Sequence, residues 1–177
     1  VAPSLFLLLS VILAFTGGHA PWVVVATVVT AAASGTRLPD LDTPLNLNHR
    51  SALLHGVIPM LVALLDARTW GVAAGLGFGI GLHLAADLFP GKMRGYATIK
   101  LPLLGSIGAG LSYLWIAANA AGNLIGGVLI LPWIADDEAL RGILAGVGLV
   151  GMFYLLTAKG GWAALVLFGA IGWWWLG

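Results

Sequence analysis

The residues in this chain with the greatest capacity for chemistry are gathered in one stretch. Pro39-Asp40-Leu41-Asp42 is followed by His49-Arg50-Ser51, by His55 and then by His83-x3-Asp87, so three of the four histidines lie between positions 40 and 87. Elsewhere charge is scarce, at 8% of all residues. Imidazoles and carboxylates without thiolate suit a divalent cation such as zinc or manganese. An ionisable group in or beside a membrane span is costly enough to be a functional candidate by default. The chemistry implied is coordination of a metal ion at the end of a set of helices.

The spacings support that reading in different ways. His83 and Asp87 continue the series Gly71, Gly75, Gly79, and each i+4 step drifts only ~40° around a helix. A helix face fit for close packing therefore ends in an imidazole and a carboxylate one turn apart, a spacing that also suits a plain His–Asp hydrogen bond. Asp40 and Asp42 follow a proline that discourages continuation of a preceding helix. In extended backbone they share a side, although aspartates in such a turn also serve as local caps. His49 opens the third expected span, and His55 lies inside it, four residues before Pro59. Because proline has no N–H, the His55 carbonyl is expected to be free near the site. Arg50 offers a planar fork for phosphate or carboxylate, and Lys92 and Arg94 supply further positive charge for an anionic head group.

These residues must be held by a membrane-embedded scaffold. The 177 residues are 60% hydrophobic, with mean hydropathy +1.01, whereas a soluble domain carries about 25% charge. The fold class is all-α, a polytopic transmembrane helical bundle. It forms one domain over 1–177, with the motifs in about 20–105 and C-terminal helices over about 106–177. A net charge of +1 gives no case for nucleic acid, and the absence of cysteine excludes disulfides, thiolate zinc sites and cysteine nucleophiles. Val1 to Phe15 reads as a first transmembrane helix rather than a signal-peptide core.

A span needs roughly 20 apolar residues, which places spans near 3–17, 20–37, 52–66, 70–89, 139–158 and 161–177. Residues 103–133 form either one long helix ending at Pro132 or two shorter ones broken around Asn119 to Asn123. The expected count is thus seven or eight. The 37–51 and 90–102 connections share a face and carry Arg37, Arg50, Lys92, Arg94 and Lys100, five of the eight basic residues. The positive-inside rule sets that face in the cytoplasm. His19 falls on the opposite side, with a structural or interfacial role. Gly122/Gly126 and Gly142/Gly146 repeat the small-xxx-small pattern of close helix packing, which also suits a membrane-protein partner or a homo-oligomer. Asp136, Asp137 and Glu138 read as a turn capping the following helix, Trp173 to Trp175 as an interfacial aromatic belt, and Asn119 and Asn123 as interhelical hydrogen-bonding groups.

Taken in order, Pro39-Asp40-Leu41-Asp42, His49-Arg50-Ser51 with His55, and His83-Leu84-Ala85-Ala86-Asp87 resemble the LexA-binding, inner-membrane-associated metal-dependent hydrolase family of bacteria. The resemblance covers about residues 20–105. It implies a multi-span protein of the bacterial inner membrane with a metal-dependent hydrolytic site. Two departures stand out. The place of the family's early histidine on the motif face falls at or before Val1, with His19 on the wrong side to substitute, and its His-Arg-Gly-x-Thr-His block is replaced by the longer His49-Arg50-Ser51-Ala52-Leu53-Leu54-His55.

The sequence expectation is therefore a hydrolase acting on a membrane-interface substrate, a lipid phosphoester by location. Asp40, Asp42, His55, His83 and Asp87 are the candidate metal ligands, Asp42 and His49 the candidate catalytic groups, and Arg50, Lys92 and Arg94 the candidate substrate-binding groups. The cofactor is a divalent ion, zinc first, with manganese or another as alternatives, and membrane lipids are the expected partners. A non-enzymatic subunit with a structural metal or salt-bridge lock is the main competing reading. An ion or metal permease is the third. Orientation is open to a direct check because the chain has no cysteine of its own. A cysteine introduced at Thr43 should resist an impermeant thiol reagent in intact cells and react after permeabilisation. Labelling of intact cells would reverse the assignment.

Overall fold

The computed structural model describes residues 2–18, 20–45, 47 and 49–176, so His19 lies outside the described residues. Seven α-helices dominate: α1 (Ala2–Thr16), α2 (Pro21–Gly35), α3 (Ile58–Ala63), α4 (Trp70–Asp87), α5 (Gly108–Ile134), α6 (Asp137–Thr157) and α7 (Gly161–Leu176). Between α4 and α5 a minimal antiparallel hairpin pairs β1 (Lys100–Leu101) with β2 (Gly105–Ser106), Lys100 opposite Ser106 and Leu101 opposite Gly105. Asp136 starts α6 by accepting a hydrogen bond from the Ala139 N–H at 2.8 Å, with Asp137 and Glu138 in the first turn. Their charges lie at the positive end of the helix dipole, as the composition of that turn implied.

Three helices among the described residues are long and apolar enough to cross a membrane: Ala67–Asp87, Gly108–Ile134 and Asp137–Thr157. The expected count of seven or eight is too high. Helices α1, α2 and α7 are apolar but only 15, 15 and 16 residues long, about 22–24 Å at 1.5 Å per residue, against ~30 Å of hydrocarbon. The segment 103–133 contains one helix, α5, which starts at Gly108 and has Pro132 in its last turn. The largest departure is at 52–66. Hydropathy there implies a span, yet the chain runs through turns as far as Val57 and forms only the six residues of α3.

Helix α4 is the axis of the molecule, packed chiefly between α2 and α5, while α1 and α6 flank α2. Its own sequence makes this possible. Gly75 and Gly79 lie against α2, where an added Cβ would meet the carbonyl oxygens of Val28 and Ala32. Gly77 and Gly81 lie against α5, where it would meet the backbone of Asn123 and the side chain of Leu124. The remaining pairs are also spent inside the chain, Gly122 and Gly126 on Val57 and Met60, Gly142 and Gly146 on Val25 and Val29. Those faces are consequently occupied by the chain's own helices.

Gly79→Ala should force α2 and α4 apart and cost about 1–3 kcal/mol, the range for overpacking a tight contact. Gly148→Ala, which meets open space, should be neutral or slightly stabilising. Thermal unfolding in detergent distinguishes them, and equal shifts would contradict this packing.

Candidate metal centre

The site is built on a stretch of backbone that is not helical. Residues 51–57 leave peptide groups without intrahelical partners, and such backbone is tolerated at membrane depth only where protein satisfies it. Three side chains spaced one turn apart on α5 do so. The Trp115 indole Nε1–H donates to the His55 carbonyl at 2.8 Å, Asn119 Oδ1 accepts from the Val57 N–H at 3.1 Å, and Asn123 Nδ2 donates to the Gly56 carbonyl at 3.2 Å. The His55 carbonyl is therefore not free, as the position of Pro59 had suggested. Trp115, two turns into α5, takes the place of the missing amide.

Upstream, Asp42 lies at the end of a short 3-10 turn, Pro39–Asp42, and is fully buried. Its Oδ2 accepts from the backbone N–H groups of Arg50 and Ser51, the latter at 3.3 Å, and its Oδ1 accepts from Thr43 Oγ1 at 3.2 Å. This clamp holds Arg50 at φ +58°, a left-handed conformation uncommon for any residue but glycine. The Arg50 carbonyl accepts from the Lys100 N–H at 3.0 Å. Its guanidinium donates to the Ala97 carbonyl at 2.6 Å and to Asp87 Oδ1 at 2.5 Å. Arg50 thus ties the third segment, the 88–107 loop and the end of α4 together, and its fork is committed within the protein. Lys100 lies beside it, its ammonium held below the usual lysine range by partial burial and by the Arg50 charge.

Three of the expected ligands converge. Asp87 Oδ2 lies 3.7 Å from His55 Nε2 and 3.6 Å from His83 Nε2, and His55, His83 and Asp87 each offer one ligand atom within 4.8 Å of the others. These separations are too long for hydrogen bonds. The 3.6 and 3.7 Å separations are close to the ~3.3 Å edge of a tetrahedron of ligands set about 2.0–2.1 Å from an ion. Asp87 Oδ2 and His55 Nδ1 are buried with no hydrogen-bond partner among the described residues. His83 Nδ1 lies 3.0 Å from the Thr36 carbonyl and 3.1 Å from the Tyr154 hydroxyl. A proton donated from Nδ1 to that carbonyl leaves the Nε2 lone pair directed at Asp87, the arrangement that orients metal-bound histidines. Asp40 Oδ1 is 4.0 Å from His83 Nε2, at the rim, with half of its side chain exposed. Two imidazoles and a partly buried carboxylate form a donor set that could hold a divalent ion, with the Asp40 carboxylate at its edge.

The other candidates take different places. Asp42 sits behind His55, 3.9 Å from its Nδ1, and its oxygens are committed to the Arg50 and Ser51 amides and to Thr43, so it holds the turn rather than sharing the focus of His83 and Asp87. His49 is an exposed imidazole, 3.7 Å from Asp42 Oδ1 and beside the Tyr96 ring. Lys92 and Arg94 are exposed on the loop after α4. Tyr154 and Thr36 were not anticipated. Tyr154 is 71 residues from its partner His83, and its only local signal is a hydroxyl in an apolar helix; Thr36 acts through its backbone, which carries no residue signature.

No family model, curated protein or solved structure matches the chain. The centre therefore stands on its own geometry. Loaded with zinc in detergent and freed of excess by gel filtration, the wild-type chain should retain one equivalent by elemental analysis. His83→Ala and Asp87→Ala should lose it, whereas His49→Ala and Lys92→Ala should keep it. Full retention by His83→Ala would remove the centre.

Proposed function

We propose that the protein is a membrane-embedded, metal-dependent hydrolase acting on a phosphoester at the membrane interface. The observation that carries this reading is the convergence of His55 Nε2, His83 Nε2 and Asp87 Oδ2, with the last of these atoms buried and without a hydrogen-bond partner among the described residues. The order of the motif blocks, and their resemblance to the inner-membrane hydrolase family, support the same reading. A divalent ion held there supplies a Lewis acid and brings the pKa of a coordinated water toward ~7.

The chain's own residues have distinct tasks in this reaction. Arg50 holds Asp87 by Oδ1 and so turns Oδ2 toward the two imidazoles. Thr36 fixes the tautomer of His83 through its carbonyl. Asp40, half exposed at the rim, is placed to accept a proton from the attacking water. Lys92 and Arg94, with His49 nearer the clamp, form the approach for an anionic head group. The motif-bearing loops face the cytoplasm of a bacterial inner membrane in this reading.

A second reading has a specific observation in its favour. The Arg50–Asp87 ion pair, 2.5 Å long and largely buried, would also serve a non-enzymatic subunit as a structural lock. The two separate on a panel of head-group-labelled phospholipids. A hydrolase should lose activity to chelator, and Asp40→Asn should reduce kcat by about 10²–10⁴-fold, the usual contribution of a positioned general base, with zinc content and melting temperature retained. Chelator-insensitive turnover would exclude the metal mechanism. Absence of turnover, with a melting temperature that Asp87→Asn lowers and chelator leaves unchanged, would favour the lock.

A further inference from the structure

One wall of the candidate centre is also the wall of a cleft. Between α1, α2 and α6 lies a cavity of about 510 Å³ lined by Phe6, Ala33, Val150, Phe153 and Tyr154, with Arg37 at its edge. Its residues come from the end of α2 and the second half of α6, so it sits at the same end of the bundle as the motifs. Apart from Arg37 and the hydroxyls of Thr36, Tyr154 and Thr157, the lining is apolar. The volume falls within the ~300–1,000 Å³ of small-molecule sites.

Two polar features give this cleft a direction. The first is Arg37, an exposed guanidinium 5.6 Å over the Tyr154 ring. None of the ion pairs among the described residues includes it. Stacking on a ring leaves the N–H edges of the fork open, and that edge matches a phosphate with two parallel hydrogen bonds. The second is the Tyr154 hydroxyl, 3.1 Å from His83 Nδ1. A molecule lying along the Tyr154 ring therefore rests one side chain from the candidate centre.

We infer that this cleft binds an anionic phospholipid, with one acyl chain between α2 and α6 and the phosphate on Arg37. Apolar walls take the chain, the uncompensated cation takes the negative head group, and the shared tyrosine sets the head-group end beside His83. This deepens the hydrolase reading by naming its substrate class and rests on that reading for the fate of the ester, although the binding itself does not need catalysis. Apolar walls with an exposed cation at their edge, unpaired among the described residues, match an amphiphile with a negative head group, which is why the lipid is preferred to a second copy of the chain.

The test uses the full chain in detergent with chelator present, so that binding is read without turnover. Phe153, 74% exposed in the cleft, is replaced by tryptophan as a reporter. Its quenching by phosphatidylglycerol with brominated acyl chains is compared with that by brominated phosphatidylcholine. Signal from the native tryptophans is subtracted using the chain with Phe153 intact. Phosphatidylglycerol should reach half-quenching at a mole fraction at least fivefold lower, and Arg37→Gln should abolish that preference, as should Arg37→Ala. Equal quenching by the two lipids, or a preference that survives both Arg37 variants, would overturn the proposal. So would loss of quenching in a chain that sediments as a dimer, since a second copy would then fill the cleft. Hydrolysis assayed in parallel with the zinc-loaded chain keeps the two ideas apart. Lipid preference without turnover supports the cleft and removes the hydrolase; turnover without lipid preference does the reverse.

Discussion

The constraint on which this molecule turns is the need to satisfy a few peptide groups in the third segment. Between Ser51 and Val57 the chain is not helical, so the carbonyls of His55 and Gly56 and the amide of Val57 must find partners outside that segment. In hydrocarbon each failure costs several kcal/mol. Trp115, Asn119 and Asn123, stacked one turn apart on α5, supply those partners. Because the stretch is satisfied from α5, it need not be a helix. Because it is not a helix, His55 and Arg50 can be turned inward toward the end of α4.

The charge distribution follows from that arrangement. Burying a single carboxylate is expensive, and pairing offsets the cost only when the remaining hydrogen-bonding capacity is also used. Asp42 meets the condition with backbone N–H groups and a threonine hydroxyl. Asp87 meets half of it, with Arg50 on Oδ1 and two imidazole nitrogens facing Oδ2 beyond hydrogen-bond distance. That unequal treatment of a fully buried and a partly buried aspartate separates a scaffold residue from a ligand candidate.

The glycines of α4 belong to the same system. Their lack of a side chain lets α2 approach until the Thr36 carbonyl reaches His83, and it lets α5 approach on the other side to serve the broken segment. A helix of larger residues at those positions would hold both neighbours away, leaving His83 without its orienting carbonyl and the third segment without its polar partners. Helix packing and the chemistry of the centre are therefore set by one spacing.

That spacing is what was legible in the sequence alone. The i+4 series from Gly71 to Asp87 is a local period, and a helix converts it directly into a face, so the close packing of α4 and the pairing of His83 with Asp87 could be read without coordinates. The scarcity of charge outside the motif region likewise located the centre. Only the tertiary structure decided that residues 52–66 do not form a span, that Asp42 serves the backbone of Arg50 and Ser51, that the Arg50 fork is committed to Asp87 and Ala97, and that Tyr154 and Thr36 reach His83. Hydropathy registers how apolar a segment is, and 52–66 is apolar. It does not register whether another helix, more than fifty residues further along, carries the side chains that relieve that segment of its own hydrogen bonds. The asparagines of α5 were visible as hydrogen-bonding groups, but their partners were peptide groups, identical in every residue, and only the packing of α5 against the broken segment selects which of them are met.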